Sequence, residues 1–114
     1  MRRRLLSVAL AVVLAQPVMA QKTRTYAGEE AAALRCSNAL ALTAIALSRA
    51  ELIADVEKEV MLGVTVLILE RHVSGTWQQK KRALEVMRDR RSVPDTLDDY
   101  RRNAVKCLRQ FPIN

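Results

Sequence analysis

This 114-residue chain has two cysteines, Cys36 and Cys107, which lie near opposite ends of the region that follows its N-terminal apolar segment. A disulfide between them would close a loop of about 70 residues and, on the chain-entropy model, stabilise the fold by about 4 kcal/mol. Such bonds persist in oxidising compartments and are rare in the cytosol. The bond that most restricts this fold is therefore expected only if the chain is exported.

The first twenty residues have the three-part plan of a secretory signal peptide. Three arginines at positions 2–4 are followed by an apolar run over residues 5–15, which a single serine interrupts. Pro17 then ends the apolar helix, and the short segment that finishes at Ala20 suits a signal peptidase. We predict cleavage after Ala20.

Two other interpretations of this N-terminal segment are disfavoured. Its apolar run is shorter than the ~20 residues that a membrane-spanning helix needs, and a lipoprotein would carry a cysteine where Gln21 stands. We therefore expect a signal peptide at residues 1–20, a single helical domain at residues 21–114, and a periplasmic or secreted mature protein. In that compartment an even number of cysteines favours a disulfide between Cys36 and Cys107.

The mature portion is rich in strong helix formers. Ala, Leu, Glu, Arg and Lys dominate it, while it has only three glycines and two prolines and no alternating β-branched segment. We predict an all-α fold, a small antiparallel bundle of about four helices stapled by one disulfide, with no transmembrane segment in the mature chain. Its 94 residues bury a thin core, so the staple should supply a large share of the stability.

Capping and breaking residues divide this domain into helices. Ser48 and Glu51 have the spacing of a capping box, which predicts that the first helix ends near residue 47 and that a second covers residues 49–73. Gly75 suits the end of the second helix.

The remaining boundaries follow from the same signals. Thr76 begins another capping box, which predicts a third helix over residues 77–91. Pro94 breaks the chain, and Asp95 or Thr96 can cap a fourth helix that continues nearly to the end of the chain.

The pattern of apolar residues predicts how these helices pack. Cys107 falls on the apolar stripe of the fourth helix and Cys36 lies within the first, so the disulfide should clamp these two helices. In the second helix, the segment from Val60 to residue 69 is apolar on nearly all sides. That is typical of a helix at the middle of a bundle, or of one that faces a partner or a membrane. In the third helix, Trp77 should point inward.

Basic residues concentrate on the opposite face of the third helix. The residues of this basic face, which are candidates for binding an anionic partner, are Lys80, Lys81, Arg82, Arg88 and Arg91. Without the three signal-peptide arginines, 16 Lys and Arg stand against 12 Asp and Glu, a modest net charge of +4. Two interpretations stay open: a solubilising face, the commoner role of charge runs, and a docking surface for phospholipid, lipopolysaccharide or an acidic protein. Nucleic acid is disfavoured, because the sequence lacks aromatic platforms that stack bases.

Residues that carry catalysis or bind cofactors are scarce. His72 is the single histidine, and the sequence has no Cys-x-x-Cys pair, no Gly-x-Ser-x-Gly motif and no glycine-rich phosphate loop. We therefore expect no metal or other cofactor and no enzymatic activity. His72 is interpreted as a residue at a helix end that favours the helix dipole when protonated; a role in a site is the alternative.

The first helix carries the sequence Arg35-Cys36-x-x-Ala39-Leu40. Together with the signal peptide, it resembles small uncharacterised exported helical proteins of Gram-negative bacteria, a resemblance that implies a periplasmic location. Periplasmic acid-stress chaperones and immunity proteins against secreted cell-wall toxins share the gross architecture. The leading hypothesis is a non-enzymatic periplasmic binding protein whose partner is an envelope protein or an anionic envelope surface. The alternatives are a holdase chaperone, a toxin-immunity protein and a small enzyme.

Overall fold

The computed structural model describes residues 24–114, which form four α-helices and no strand. The helices are α1 (Gly28–Arg49), α2 (Asp55–His72), α3 (Trp77–Arg90) and α4 (Val93–Gln110). The predicted all-α bundle is therefore confirmed. The predicted signal peptide at residues 1–20 and its cleavage site lie outside the described residues.

The helix α1 is the central element, because it packs against each of the other three helices. Its buried residues are Ala33, Leu34, Cys36, Ser37, Asn38, Ala39, Leu40, Thr43 and Ala44. Small side chains dominate this set, so neighbouring helices can approach α1 closely. The same helix has the length and mean hydropathy of a membrane-spanning segment, criteria that the core helix of a bundle also meets.

The helix α2 lies at the outside of the bundle, and its main contacts are with α1. One side of α2 is buried through Thr65, Ile68 and Leu69. On the other side, Val60 is 61% exposed and Val66 is 43% exposed. Of the two interpretations of the apolar segment of residues 60–69, a position at the middle of the bundle therefore fits only one of its sides. A helix at the edge has a neighbour on one side only, and α1 has taken the central position.

The predicted boundary between α1 and α2 is also wrong. α1 continues through Ser48, and the chain turns where Glu51 adopts a left-handed conformation with φ of 59°. The amide of Glu51 donates to the carbonyl of Ser48, and the amide of Leu52 donates to the carbonyl of Leu47. These two bonds form a Schellman motif, which satisfies the last carbonyls of α1. Ser48 therefore ends a helix instead of capping the next one.

The next helix starts at Asp55, six residues later than the predicted start at residue 49. Its first turn is stabilised by Glu57, whose carboxylate accepts a hydrogen bond of 3.2 Å from the amide of Ala54. This is one half of a capping box, because an alanine side chain has no oxygen to complete the other half.

The two later helices begin at hydroxyl caps. Thr76 accepts a hydrogen bond from the amide of Gln79, and its own amide donates to the Gln79 side chain, as the capping box predicts. Ser92 caps α4 by accepting from the amide of Asp95, so the predicted cap at Asp95 or Thr96 is wrong by about one turn. Pro94 fits inside the first turn of α4, where its missing N–H costs nothing.

The core forms where α1 meets the three other helices. Its buried members are Ala33, Leu34, Cys36, Leu40, Ile68, Leu69, Val73 and Phe111. Trp77 is not among them and is 50% exposed. The prediction that Trp77 points inward is therefore wrong: this first residue of α3 is half-exposed.

The predicted disulfide is confirmed. Cys36 and Cys107 are bonded, with their Cα atoms 5.7 Å apart, and the pair joins α1 to α4. Cys36 is buried, and Cys107 packs against the core. The bond thus closes the helix that begins the described chain onto the helix that ends it, as their positions in the sequence predict.

Candidate functional site

The basic face predicted on α3 does not form one continuous surface. Lys80 is buried, with 9% of its surface exposed, because it lies on the side of α3 that turns toward the bundle. The side chain of Arg91 is 26% exposed and is drawn to Asp99, with Nη2 3.6 Å from a carboxylate oxygen. Lys80 and Arg91 therefore do not belong to the exposed basic face that the sequence predicts.

The other members of the basic face lie outward among acids. Arg82 pairs with Glu85 at 3.6 Å, and Arg88 pairs with Asp89 at 3.1 Å. Lys81 is exposed on the same helix. The outer surface of α3 is consequently a mixture of both charges, which is the usual character of a solvated helix face.

Arginines instead gather where α1, α3 and α4 meet. Arg35 of α1 donates from Nε to Oδ2 of Asp99 at 2.9 Å and from Nη2 to Oδ1 at 3.3 Å. Asn103 donates to the same Oδ1 at 2.7 Å, and Arg91 reaches Oδ2 from the end of α3. One carboxylate from α4 therefore connects the three helices.

The environment of Asp99 lowers its pKa. Burial by itself raises the pKa of this carboxyl, but the hydrogen bonds from Arg35 and Asn103 and the charges of Arg35 and Arg91 outweigh burial. In return, the hydrogen bond to Asp99 raises the pKa of Arg35. Asp99 is thus an anion at neutral pH, and it is shared between two guanidinium groups.

The segment before α1, which we call the arm (residues 24–27), is fastened to the loop between α2 and α3. Arg24 donates to the hydroxyl of Ser74, and Tyr26 donates to the carbonyl of the same serine, both at 2.7 Å. Ser74 in turn donates from its amide and its hydroxyl to Glu30, both at 2.6 Å. The guanidinium of Arg24 also lies 5.0 Å from the centre of the Tyr26 ring, a cation–π distance.

These surroundings shift the pKa of Glu30 in α1 and the pKa of Tyr26 in the arm. The two hydrogen bonds from Ser74 lower the pKa of Glu30, and burial raises the pKa of Tyr26. Gly75 closes the loop with φ of 98°, and a Cβ there would lie 2.6 Å from Oε1 of Gln79 and 2.9 Å from the Tyr26 hydroxyl. The backbone conformation of Gly75 therefore favours glycine at this position.

A groove of about 590 Å³ lies between the arm, α1 and α3. Its floor is apolar and consists of Ala31, Ala32, Leu34, Ala83, Val86 and Met87. Its rim carries four arginines: Arg24 at the arm, and Arg35, Arg90 and Arg91 where α1 meets the end of α3. We call it the arginine groove. Its volume lies within the range of small-molecule sites, about 300–1,000 Å³.

A smaller groove of about 290 Å³ lies between α1 and α4, beside the disulfide. Arg35 and Ala32 line both grooves. The polar groups of the smaller groove include Asp99 and Asn103, which already bind one another and Arg35. Its volume falls just below the usual range of small-molecule sites, about 300–1,000 Å³, which makes it the weaker candidate for a binding site.

His72 contacts the C-terminal residues of the chain and lines neither of these grooves. Its Nε2 lies 2.7 Å from the carbonyl of Pro112, and its ring packs edge-on against Phe111 at 5.4 Å. Among residues 24–114, no three His, Cys, Asp or Glu side chains are grouped as they would be to hold a metal ion.

Comparison with known proteins adds no family to these observations. The chain matches no protein-family model, and neither curated proteins nor solved structures yield a similar protein or fold.

The sequence does not predict the arginine groove, although two of its arginines are named for other reasons. Arg91 is grouped with the basic face of α3 and Arg35 is named only beside Cys36, whereas neither Arg24 nor Arg90 is a predicted site residue. Their meeting depends on α3 crossing α1, which no local pattern encodes. The Cys36–Cys107 pair predicts that Arg35 of α1 lies near α4, and it carries no signal for the approach of α3.

Proposed function

We propose that this protein is a non-enzymatic binding protein of the periplasm, and that its ligand is an anionic amphiphile with one acyl chain. In this proposal the chain is exported, cleaved after Ala20, and oxidised to form its disulfide. The disulfide supports an oxidising compartment, since such bonds are rare in the cytosol. The resemblance to small exported helical proteins of Gram-negative bacteria points to the same location.

One observation carries the choice of ligand. At the junction of α1 and α3, the guanidinium groups of Arg35 and Arg91 share the single carboxylate of Asp99, and Arg90 makes no ion pair within residues 24–114. Positive charge therefore exceeds negative charge at this end of the arginine groove. An arginine binds a carboxylate or phosphate through two parallel hydrogen bonds, so an anionic head group fits here.

The floor of the groove selects the rest of the ligand. Val86 and Met87 present apolar surface between the arginines. A hydrocarbon chain that enters the groove is removed from water, which contributes roughly 0.8 kcal/mol for each buried CH₂. The joint presence of an apolar floor and a cationic rim favours an amphiphile over a purely polar anion.

The test is a calorimetric titration of residues 21–114 with sodium dodecanoate below its micelle concentration. Dodecyl maltoside, which has a tail of the same length and a neutral head, is the comparison ligand. We expect dodecanoate to bind with a one-to-one stoichiometry and at least about tenfold more tightly than the maltoside. Equal affinity for the two ligands would contradict the proposed role of the arginines.

Two arginines of α3 provide a matched pair of variants. Arg90→Glu reverses a charge at the rim of the groove, whereas Arg82→Glu reverses a charge on the outer surface of the same helix. We expect Arg90→Glu to weaken dodecanoate binding about tenfold and Arg82→Glu to leave it unchanged. Equal losses would instead favour the basic face of α3 as a diffuse electrostatic surface.

A second measurement tests the compartment. Mass spectrometry of the protein expressed from the full chain and recovered from the periplasm should show Gln21 as the first residue. The mass should also rise by that of two hydrogen atoms when the protein is reduced. An intact N-terminus or two free thiols would overturn the proposed export.

A further inference from the structure

The outer sides of α2 and α4 carry apolar residues that the described chain leaves uncovered. On α2, Val56 is 67% exposed and Val60 is 61% exposed. On α4, Val105 is 66% exposed and Leu108 is 42% exposed. Each pair is spaced by three or four residues, so each forms one short stripe on its helix.

The charges that flank the two stripes have opposite signs. α2 contains four acids, Asp55, Glu57, Glu59 and Glu70, against two bases, Lys58 and Arg71. The stretch of α4 from residue 101 to residue 109 contains four bases, Arg101, Arg102, Lys106 and Arg109, and no acid. Asp98 pairs with Arg101 and Arg102. Lys106 and Arg109 make no ion pair among the described residues, and neither does Glu59.

The two helices also match in length and in the placement of these features. Each has 18 residues, about 27 Å at 1.5 Å per residue. The stripe of α2 and three of its acids lie in its N-terminal half, whereas the stripe of α4 and three of the four bases lie in its C-terminal half. When the two stripes face each other across antiparallel helices, the acids of one helix lie against the bases of the other.

From this complementarity, we infer that the protein associates with a second copy of itself, with α2 of one copy packing antiparallel against α4 of the other. Both halves of the complementary surface belong to one chain, so a second copy supplies the partner that each half lacks. Val56 and Val60 pack against Val105 and Leu108 of the second copy, and Glu59 approaches Lys106. This association does not depend on the proposed ligand, because none of these residues lines the arginine groove.

Sedimentation velocity of residues 21–114 across a range of concentrations tests the association. We expect a monomer at low concentration and a larger species at high concentration, with weaker association at high salt, because the charges at the edge of the contact are screened. A single monomeric species up to millimolar concentration at low salt would overturn the proposal.

Charge reversal tests the geometry. Glu59→Lys and Lys106→Glu should each weaken association about tenfold, and the two changes in one chain should restore it. Lys81→Glu, on the outer surface of α3, is the matched control and should have no effect. Association that is unaffected by Glu59→Lys and by Lys106→Glu would overturn the α2–α4 contact.

Substitutions in the apolar stripe of α2 distinguish a second copy of the chain from a membrane as the partner of this surface. Val60→Ser should abolish the larger species, whereas Val93→Ser, at an exposed valine outside the contact, should retain it. Circular dichroism checks that both variants keep their helices. If the protein stays monomeric and vesicles of phosphatidylglycerol bind it through Val60 instead, a membrane surface is the occupant and the proposal is wrong.

Discussion

Arg35 and Cys36 are neighbours on α1, and each binds a residue of α4: Arg35 holds Asp99 through two hydrogen bonds, and Cys36 is bonded to Cys107. The two connections differ in their chemistry, since one depends on ionisation and the other on oxidation. Asp99 and Cys107 lie about two helical turns apart on α4, so α1 holds α4 at two separate points. Substitutions on α4 and changes of pH or redox conditions can therefore separate their contributions to stability.

Replacement of Asp99 should cost more than replacement of its neighbour Asp98. Asp99→Asn leaves Arg35 and Arg91 without their shared carboxylate, and we expect the free energy of unfolding at neutral pH to fall by about 2 kcal/mol. Asp98→Asn removes surface ion pairs with Arg101 and Arg102, which should cost at most about 0.5 kcal/mol. Urea denaturation of both variants checks this, and equal losses would contradict the connecting role of Asp99.

The lowered pKa of Asp99 also predicts how stability depends on pH. Its ordinary pKa is 3.8, and the folded value lies below this, so its full contribution is present above pH ~4. As the pH falls through that value, the unfolded chain binds the proton first and stability is lost. Asp99→Asn should therefore flatten the fall in melting temperature below pH 4. Part of the pH dependence that remains in the Asp99→Asn variant comes from Glu30, whose pKa is also lowered.

Loss of the disulfide should destabilise the protein strongly. Replacing Cys36 and Cys107 by alanine frees a loop that spans 71 positions, which predicts a loss of about 4 kcal/mol. Reductant should produce a similar loss in the wild type and none in the double variant. Thermal denaturation with and without dithiothreitol measures both, and a wild type that is indifferent to reductant would contradict the prediction.

Replacement of two glycines by alanine should change the free energy of unfolding in opposite directions. Gly75 has φ of 98° and is crowded by the arm, so Gly75→Ala should cost about 1–2 kcal/mol. Gly63 lies within α2, and a Cβ added there would meet no atom within 4 Å, so Gly63→Ala should stabilise by about 0.5–1 kcal/mol. Melting temperatures measured in dilute solution test the pair, and a loss in both variants would contradict the assigned difference.

The turn after α1 offers a stabilising change. Glu51 has φ of 59°, a conformation that is unfavourable for residues other than glycine. Glu51→Gly should therefore raise the free energy of unfolding by about 0.5–1 kcal/mol. Glu51→Ala is the control, because it removes the same charge but keeps the strained backbone. If both variants gain equally, the charge of Glu51 and not its backbone conformation is responsible.

Local patterns were sufficient for features that depend on neighbours along the chain. The helical composition predicted four helices, Thr76 predicted the start of α3, and the compartment argument predicted the bond between Cys36 and Cys107. The boundary at Ser48 was wrong because its hydroxyl and Glu51 have cap spacing in the sequence, whereas the carbonyls at the end of α1 are satisfied by a Schellman turn at the same residues.

The sequence alone determined that this chain forms helices and that two of them are joined by a disulfide, because helix propensity and cysteine pairing are properties of the residues and their compartment. Only the tertiary structure decided which helix is central and where the charges lie. Lys80 is buried, α2 keeps one apolar side exposed, and Arg35 and Arg91 meet at Asp99. These outcomes depend on how α3 and α4 cross α1, and periodicity within a single helix does not specify that crossing.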